Sequence, residues 1–210
     1  MTNWAIVPVK KLDCSKSRLS DVLSADARRD LICSLLIRTL NILNGSEFIE
    51  NTIVISKDQS VLRLADKEGA YTVEEDSPSE LNSALHQATL VTMKYAATGL
   101  LILPVDLPLL TEEDVEKIIV AEDSNRLVMI VPDQHGVGTN ALFIRPPGMM
   151  NYKFGKDSLL AHKEEAKRVR AEMHVYRLSN IEFDIDDPGD LIRLKNASLN
   201  TQLQEVRGNG

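Results

Sequence analysis

Residues 101–110 read LILPVDLPLL, an apolar run that holds a single carboxylate, Asp106, between Pro104 and Pro108. Burying an unpaired carboxylate costs several kcal/mol. Asp106 is therefore a surface residue at the end of a strand, a paired residue of the core, or a ligand for a cation. The elements around this run decide among these alternatives.

The chain around Asp106 alternates between short apolar strands and amphipathic helices. The predicted strands are Trp4–Val9, Thr52–Ser56, Ala70–Val73, Leu100–Pro104 and Leu127–Val131. Four helices are predicted between these strands. The first is capped by Ser24 and runs to about Leu43, and the second spans Gln59–Lys67. The third is capped by Ser79 and ends before Gly99, and the fourth begins with a capping box of Thr111 and Asp114 and runs to about Ala121. This order predicts an α/β fold with a mostly parallel sheet, helices on both faces and ligands at the carboxyl ends of the strands. Asp106 lies just beyond one such end.

Length, charge and cysteine content narrow the class of protein. A chain of 210 residues is long enough for one domain with a full core, which we assign to residues 1–196, with a polar and flexible tail at 197–210. The formal charge of -7 argues against a general binder of nucleic acid or of anionic membranes. Cys14 and Cys33 match no zinc or disulfide framework, and the first apolar stretch is too short for a signal or a membrane span, so we expect a cytoplasmic protein. No feature sets the oligomeric state, for which a homodimer is the commonest arrangement.

A basic loop, PVKKLDCSKSRL (residues 8–19), follows the first predicted strand. It contains Lys10, Lys11, Lys16 and Arg18. Such a concentration of cations at a strand-to-helix crossing of an acidic protein favours phosphate binding. A solvated, lysine-rich loop explains the same residues equally well. The loop is neither a Walker loop nor a dinucleotide fingerprint, because it lacks the glycines of both.

Carboxylates recur near the end of the chain in DIDDPGDL (residues 184–191). Asp184 and Asp186 share one face if a strand continues that far. Oxygen ligands from two strand ends, Asp106 and Asp186, are what Mg²⁺ needs when it also binds substrate phosphates. Asp187 is better explained as the cap of a helix that begins at Pro188.

The segments GVGTNALF (residues 136–143) and FGKDSLLAH (residues 154–162) form a third candidate site. Thr139 supplies a hydroxyl beside two glycines, and Gly155 precedes Ser158 near a helix start, whose amides attract anions. A hairpin turn and an ordinary helix cap would account for the same residues. His162 lies one turn into that helix, where a lone histidine is more often structural than catalytic.

In this order and spacing, six segments resemble the 2-phospho-L-lactate guanylyltransferases of coenzyme F420 biosynthesis. They lie between about residues 4 and 194 and read PVKKLDCSKSRL, LNSAL (81–85), LPVDLPLL (103–110), PDQHGVGTNAL (132–142), FGKDSLLAHKEEA (154–166) and DIDDPGDL. The last departs from related motifs, which often have Thr and Glu at the positions of Asp187 and Gly189. The resemblance implies a single-domain nucleotidyltransferase fold of the GT-A, Rossmann-like type. It also implies that GMP passes from GTP to 2-phospho-L-lactate, giving lactyl-2-diphospho-5′-guanosine and pyrophosphate; related members use phosphoenolpyruvate or 3-phosphoglycerate.

The resemblance further implies roles for matching residues. The nucleotide-binding positions are Lys10, Lys16, Arg18, Leu81 and Asn82; the Mg²⁺ positions are Asp106 and Asp186, with Asp184 as a further candidate; the positions that hold the phosphorylated acid are Thr139, Gly155 and Ser158. Lys16, Arg18 and Asp106 are the catalytic candidates. An acceptor phosphate is already an anionic nucleophile, so catalysis requires alignment and charge neutralisation rather than a protein nucleophile.

Two other functions stay open at this point. A nucleotidyltransferase for a sugar phosphate or for the molybdenum cofactor would carry a glycine-rich first loop, which this chain lacks. A catalytically inert nucleotide-sensing protein could keep the same fold, although the basic loop and both acidic segments argue against it. The sequence does not distinguish among acid substrates, and the preference for guanine rests on the resemblance.

Overall fold

The computed structural model of the chain describes residues 2–12, 16–77, 80–120, 122 and 124–196. The predicted cap Ser79 and the predicted tail at 197–210 lie outside these ranges. Within them, the strands are β1 (Asn3–Pro8), β2 (Asn51–Ser56), β3 (Tyr71–Glu74), β4 (Gly99–Ile102), β5 (Leu127–Pro132), β6 (Thr139–Arg145) and β7 (Glu172–Val175). The helices are α1 (Ala25–Gly45), α2 (Gln59–Lys67), α3 (Leu81–Lys94), α4 (Glu112–Val120), α5 (Ser158–Arg168) and α6 (Ser179–Glu182). Residues 188–196 are also helical.

The strands form one sheet in the order β3-β2-β1-β4-β6-β5-β7. β6 runs antiparallel to β4 and β5, and the other neighbouring strands are parallel. The prediction of an α/β fold with a mostly parallel sheet is therefore confirmed. The five predicted strands are all present, and β6 and β7, which were not predicted, follow them in the chain.

Helices cover both faces of the sheet. α1, α2, α4 and α6 pack on one face, and α3 and α5 pack on the other. Side chains of β1 alternate between the two cores, with Ala5 and Val7 in the first and Trp4 and Ile6 in the second. Burial on both faces explains why the inner strands read as largely apolar runs, whereas the edge strands β3 and β7 are exposed or half-buried. It leaves the carboxyl edge of the sheet as the place where polar loops converge.

The helix starts follow the predicted capping residues. The Ser24 hydroxyl accepts a hydrogen bond from the Ala27 amide at 3.2 Å. At the start of α4, the Asp114 carboxylate accepts the Thr111 amide at 3.0 Å, and the Thr111 hydroxyl accepts the Asp114 amide at 3.2 Å. This reciprocal pair is the predicted acidic variant of the capping box. It fixes the chain shortly after Asp106.

No strand extends to Asp184, so the proposed strand alternation does not apply there. α6 ends at Glu182, and residues 183–186 have no regular structure. The Ile185 amide instead donates to the carbonyl of Asp106 at 3.1 Å, and the Ile185 side chain is buried in the core. A helix begins soon afterwards, at residue 188, which leaves too few residues for a paired strand. The acidic segment is thus a loop tied to Asp106 by its backbone.

Across the described residues, no helix combines the length and apolar character needed to cross a bilayer.

Candidate active site

Three carboxylates converge at the carboxyl edge of the sheet. One oxygen from each of Asp106, Asp184 and Asp186 lies within 4.8 Å of the others. Asp106 follows β4, and the Ile185 backbone bond brings the loop of the other two alongside it. The Asn140 amide donates to Asp184 at 3.3 Å. The structure therefore brings together all three residues predicted to bind metal.

Asp186 is held in place by the start of the next helix. The Asp190 carboxylate accepts the backbone amides of Asp186 and Asp187, each at 2.9 Å. The Asp187 carboxylate in turn accepts the amides of Gly189 and Asp190 at 2.7 and 3.2 Å. Asp187 is thus the predicted helix cap, and the Asp186 side chain remains directed to the cluster and the basic loop.

Lys16 lies between two of the carboxylates. Its Nζ is 2.5 Å from Oδ2 of Asp106 and 3.0 Å from Oδ1 of Asp186, and its side chain is 9% exposed. Its backbone is left-handed, with φ 52°, immediately before a 3-10 turn at Ser17–Leu19. Arg18 is more peripheral: its guanidinium lies 3.8 Å from Oδ2 of Asp186, and its side chain is 77% exposed.

The single positive charge of Lys16 only partly neutralises the negative charge of the three carboxylates. Burial acts to lower the pKa of Lys16, but Asp106 and then Asp186 outweigh burial and raise it, so the ammonium stays charged. Burial, followed by the charges of Asp106 and Asp186, raises the pKa of Asp184 to about 6. Because close carboxylates disfavour one another's ionisation, this cluster would gain from a cation of higher charge.

A cleft of about 900 Å³ opens beside the cluster, a size suited to a nucleotide. Its lining includes the cations Lys10, Lys16 and Arg18 and the carboxylates Asp106 and Asp186. Leu81, at the start of α3, also lines it. Four of the five residues predicted to bind nucleotide thus line the same cleft as two of the carboxylates.

The fifth, Asn82, uses its side chain on the backbone of Phe154. Its Oδ1 accepts the Phe154 amide at 2.9 Å, and its Nδ2 donates to the Phe154 carbonyl at 3.1 Å. Gly155 follows with φ +127°, a conformation that L side chains rarely adopt. Asn82 therefore links the start of α3, at the cleft, to the loop that contains Gly155.

Thr139 and Ser158 do not line this cleft, but hydrogen bonds join the segments that contain them. Thr139 begins β6, which runs antiparallel to β4 and so starts at the carboxyl edge of that strand. The Leu159 amide donates to the Val137 carbonyl at 3.0 Å, which joins the start of α5 to the segment before Thr139. His162 then bonds the Thr139 hydroxyl at 3.0 Å.

Sequence reasoning missed Asn140 altogether and missed the contacts of Asn82 and His162. The buried side-chain amide of Asn140 donates through Nδ2 to the backbone carbonyls of Ile181 and Glu182 at 2.9 and 3.2 Å and also to the carboxylate of Asp184. The signal was an amide within an otherwise apolar strand, since a buried amide needs partners. Its partner lies 44 residues away, which no local pattern reveals.

Comparison with known proteins finds relatives over most of the chain. A phosphoenolpyruvate guanylyltransferase of Sphaerobacter thermophilus is 34% identical, covering 92% of this chain and 93% of the relative. A 2-phospho-L-lactate guanylyltransferase of Methanocaldococcus infernus is 32% identical, covering 89% and 81%. A nucleotidyl transferase structure from Methanothermobacter superposes with a TM-score of 0.63 at 14% identity, covering 95% and 99%, which confirms the nucleotidyltransferase fold. Residues 3–203 match the family described as guanylyl transferase CofC like, and the chain belongs to that family.

Proposed function

We propose that the protein transfers GMP from GTP to the phosphate of 2-phospho-L-lactate and releases pyrophosphate. The observation that carries the proposal is Lys16, held between Asp106 and Asp186 beside a cleft of nucleotide size. The cleft thereby combines phosphate-binding cations with an acidic cation site. Membership of the guanylyl transferase family supports GTP as the donor.

Mg²⁺ is the cation that we propose for the carboxylate cluster. The cluster offers only oxygen ligands, as Mg²⁺ prefers, and it already attracts an ammonium group. Asp106 and Asp186 would hold the ion, with Asp184 as the third candidate. When bound, Mg²⁺ would supply neutralisation of phosphate charge.

The basic residues of the cleft would position the reacting groups. Lys10, Lys16 and Arg18 would orient the phosphates of GTP. The Lys16 ammonium group would exchange its carboxylate partners for a phosphate oxygen. An oxygen of the acceptor phosphate then forms a bond to the α-phosphorus of GTP as the bond to the pyrophosphate oxygen breaks. The acceptor oxygen is already anionic, so alignment and charge neutralisation provide the catalysis. Thr139, Gly155 and Ser158 would hold the phosphorylated acid.

Phosphoenolpyruvate is the second candidate acceptor. The specific reason is that relatives 34% and 36% identical, from Sphaerobacter thermophilus and Rubrobacter xylanophilus, are named phosphoenolpyruvate guanylyltransferases. Both acids carry the phosphate and the carboxylate on the same carbon, so one subsite could accept either.

We also propose a cytoplasmic location, based on cysteines that match no disulfide framework, and a homodimer, as the commonest oligomer.

A pyrophosphate-release screen tests the function. GTP and ATP are each combined with Mg²⁺ and 2-phospho-L-lactate, phosphoenolpyruvate or 3-phosphoglycerate, and we expect release with GTP and the first acid. Asp106→Asn should lose most of this activity. Glu113→Gln, which removes one exposed carboxylate from α4, is the matched control and should keep it.

Two outcomes would contradict the proposal. GTP binding in calorimetry without pyrophosphate release for any acid would favour a nucleotide-sensing protein. Full activity in Asp106→Asn would exclude Asp106 from the mechanism.

A further inference from the structure

His162 connects the two segments that we propose to hold the phosphorylated acid. The ring is fully buried in α5. Its Nδ1 lies 3.0 Å from the Thr139 hydroxyl, and its Nε2 lies 3.0 Å from the backbone amide of Lys153. The ring also packs against Phe154 in a T-shaped contact, at 4.7 Å between centroids.

These contacts determine which ring nitrogen carries the proton. A backbone amide can only donate, so Nε2 must accept from Lys153 and carries no hydrogen. The remaining proton of a neutral imidazole is then on Nδ1, which donates to the Thr139 oxygen. An imidazolium would place two hydrogens face to face at Nε2. Burial lowers the pKa of His162 to about 4, in agreement with a neutral ring.

The tautomer has a consequence for Thr139. Its oxygen accepts from His162, so its own hydrogen is left to donate elsewhere. Within the described part of the chain, His162 is the hydrogen-bond partner of this hydroxyl, and Thr139 is only 7% exposed. A buried O–H donor is stabilised by an acceptor, which water or a bound ligand can supply. Thr139 stands beside Asn140, whose side chain contacts the carboxylate cluster.

We propose that His162 is a positioning residue that fixes the Thr139 hydroxyl as a hydrogen-bond donor to an anionic oxygen of the phosphorylated acid. This inference rests on the proposed function for the identity of the ligand. It assigns His162 no contact with the acid and no proton transfer. Its effect passes through the Thr139 oxygen and, at Nε2, through the backbone that leads to Gly155.

Nitrogen NMR of the ligand-free protein tests the tautomer without reference to activity. In protein labelled with ¹⁵N-histidine, we expect Nδ1 of His162 to be protonated and Nε2 to be unprotonated at neutral pH. His162→Gln identifies the resonances by their loss. The opposite tautomer, or a charged ring, would overturn the inference even if the enzyme turns over as proposed.

Steady-state kinetics test the link to the acid. Thr139→Val should raise KM for the acid about tenfold, as expected for loss of one hydrogen bond to a charged group, and leave KM for GTP unchanged. His162→Gln keeps an acceptor for the Lys153 amide but no longer directs the Thr139 hydroxyl, so it should raise KM for the acid several-fold. Thr92→Val is the matched control and should change neither KM, because Thr92 is also buried but its hydroxyl donates to the backbone carbonyl of Thr89.

The double variant distinguishes positioning from a general packing role. If His162 acts through Thr139, then Thr139→Val with His162→Gln should resemble Thr139→Val alone. Multiplied effects on KM for the acid, or an equal rise in KM for GTP, would contradict the inference. A wild-type protein that turns over none of the acids would refute the proposed function and the substrate half of this inference, whereas a reversed tautomer refutes the inference alone.

Discussion

Replacement of Lys16 by methionine removes the charge between Asp106 and Asp186 and keeps most of the side-chain volume. Loss of one partner from a buried ion pair costs about 3–5 kcal/mol. The side chains of Asp106 and Asp186 are 21% and 52% exposed, so water recovers part of this energy. We therefore expect the free energy of unfolding to fall by about 2–3 kcal/mol, which for a chain of this size lowers Tm by about 4–12 °C.

Added Mg²⁺ should reverse part of this loss. A ligand that binds the folded state stabilises it according to its concentration and affinity. In the wild type the ion must displace an ammonium group, whereas in Lys16→Met it meets uncompensated carboxylates. Thermal melts at increasing MgCl₂, without nucleotide, should therefore show a larger rise in Tm for the variant than for the wild type.

Lys117→Met is the matched control for Lys16→Met. Lys117 pairs with Glu113 at 2.7 Å on the surface of α4, where the two side chains are 49% and 72% exposed. Exposed pairs contribute little to stability, so this variant should melt like the wild type and respond to Mg²⁺ in the same way. Equal melting and equal Mg²⁺ dependence in Lys16→Met would refute the electrostatic role that the structure gives to Lys16.

Three further variants have effects that urea denaturation can measure. Burial, opposed by the charge of Glu165, lowers the pKa of His162 from 6.5 to about 4. As the pH falls from 6.5 to 4, the unfolded state therefore binds a proton before the folded state does, and the free energy of unfolding falls by up to about 3 kcal/mol. His162→Gln should lose this pH dependence. Burial and the neighbouring carboxylates raise the pKa of Asp184 from 3.8 to about 6, so wild-type stability falls as the pH rises from about 4 to 6 and stays lower above it. Asp184→Asn should lack this fall and should be about 1–2 kcal/mol more stable than the wild type at about pH 7, after allowance for solvent screening. Asp187→Ala removes a helix cap and should cost about 1 kcal/mol with an unchanged m value. A wild-type slope in His162→Gln, no gain in Asp184→Asn or no loss in Asp187→Ala would each contradict the contact concerned.

The parts of the fold that could be predicted are those with local causes. Buried parallel strands read as apolar runs, and the caps at Ser24, Thr111 and Asp187 are signalled within a few residues. The antiparallel insertion of β6 between β4 and β5 depends on pairing across the whole domain, which periodicity does not report. The absent strand near Asp184 has the same origin, because a single backbone bond from Ile185 to Asp106 replaces a ladder.

The candidate site divides in the same way. The residue types that suit phosphate and Mg²⁺ could be recognised in the sequence. A charged side chain within an apolar stretch is costly to bury and therefore indicates a partner or a ligand. The contacts that position them were not: Asn82 reaches Phe154 across 72 residues, and His162 reaches Thr139 across 23. Asparagine and histidine are common in ordinary helices, so their types carry no signal until the partners are known.

The first two alternatives for Asp106 are each partly right, and the third, a ligand for a cation, remains our proposal. Asp106 is partly exposed just beyond the end of β4, and it is paired with Lys16. The same pairing prepares it for the third role, as a ligand, because an ammonium group held between two carboxylates can be replaced by a divalent cation of the same sign. Lys16 would then be released close to the phosphates that accompany that cation. This exchange of partners would thus convert a stable ligand-free site into one whose cation and ammonium group can both bind the phosphates of GTP. The Mg²⁺ response of Lys16→Met is therefore the decisive measurement.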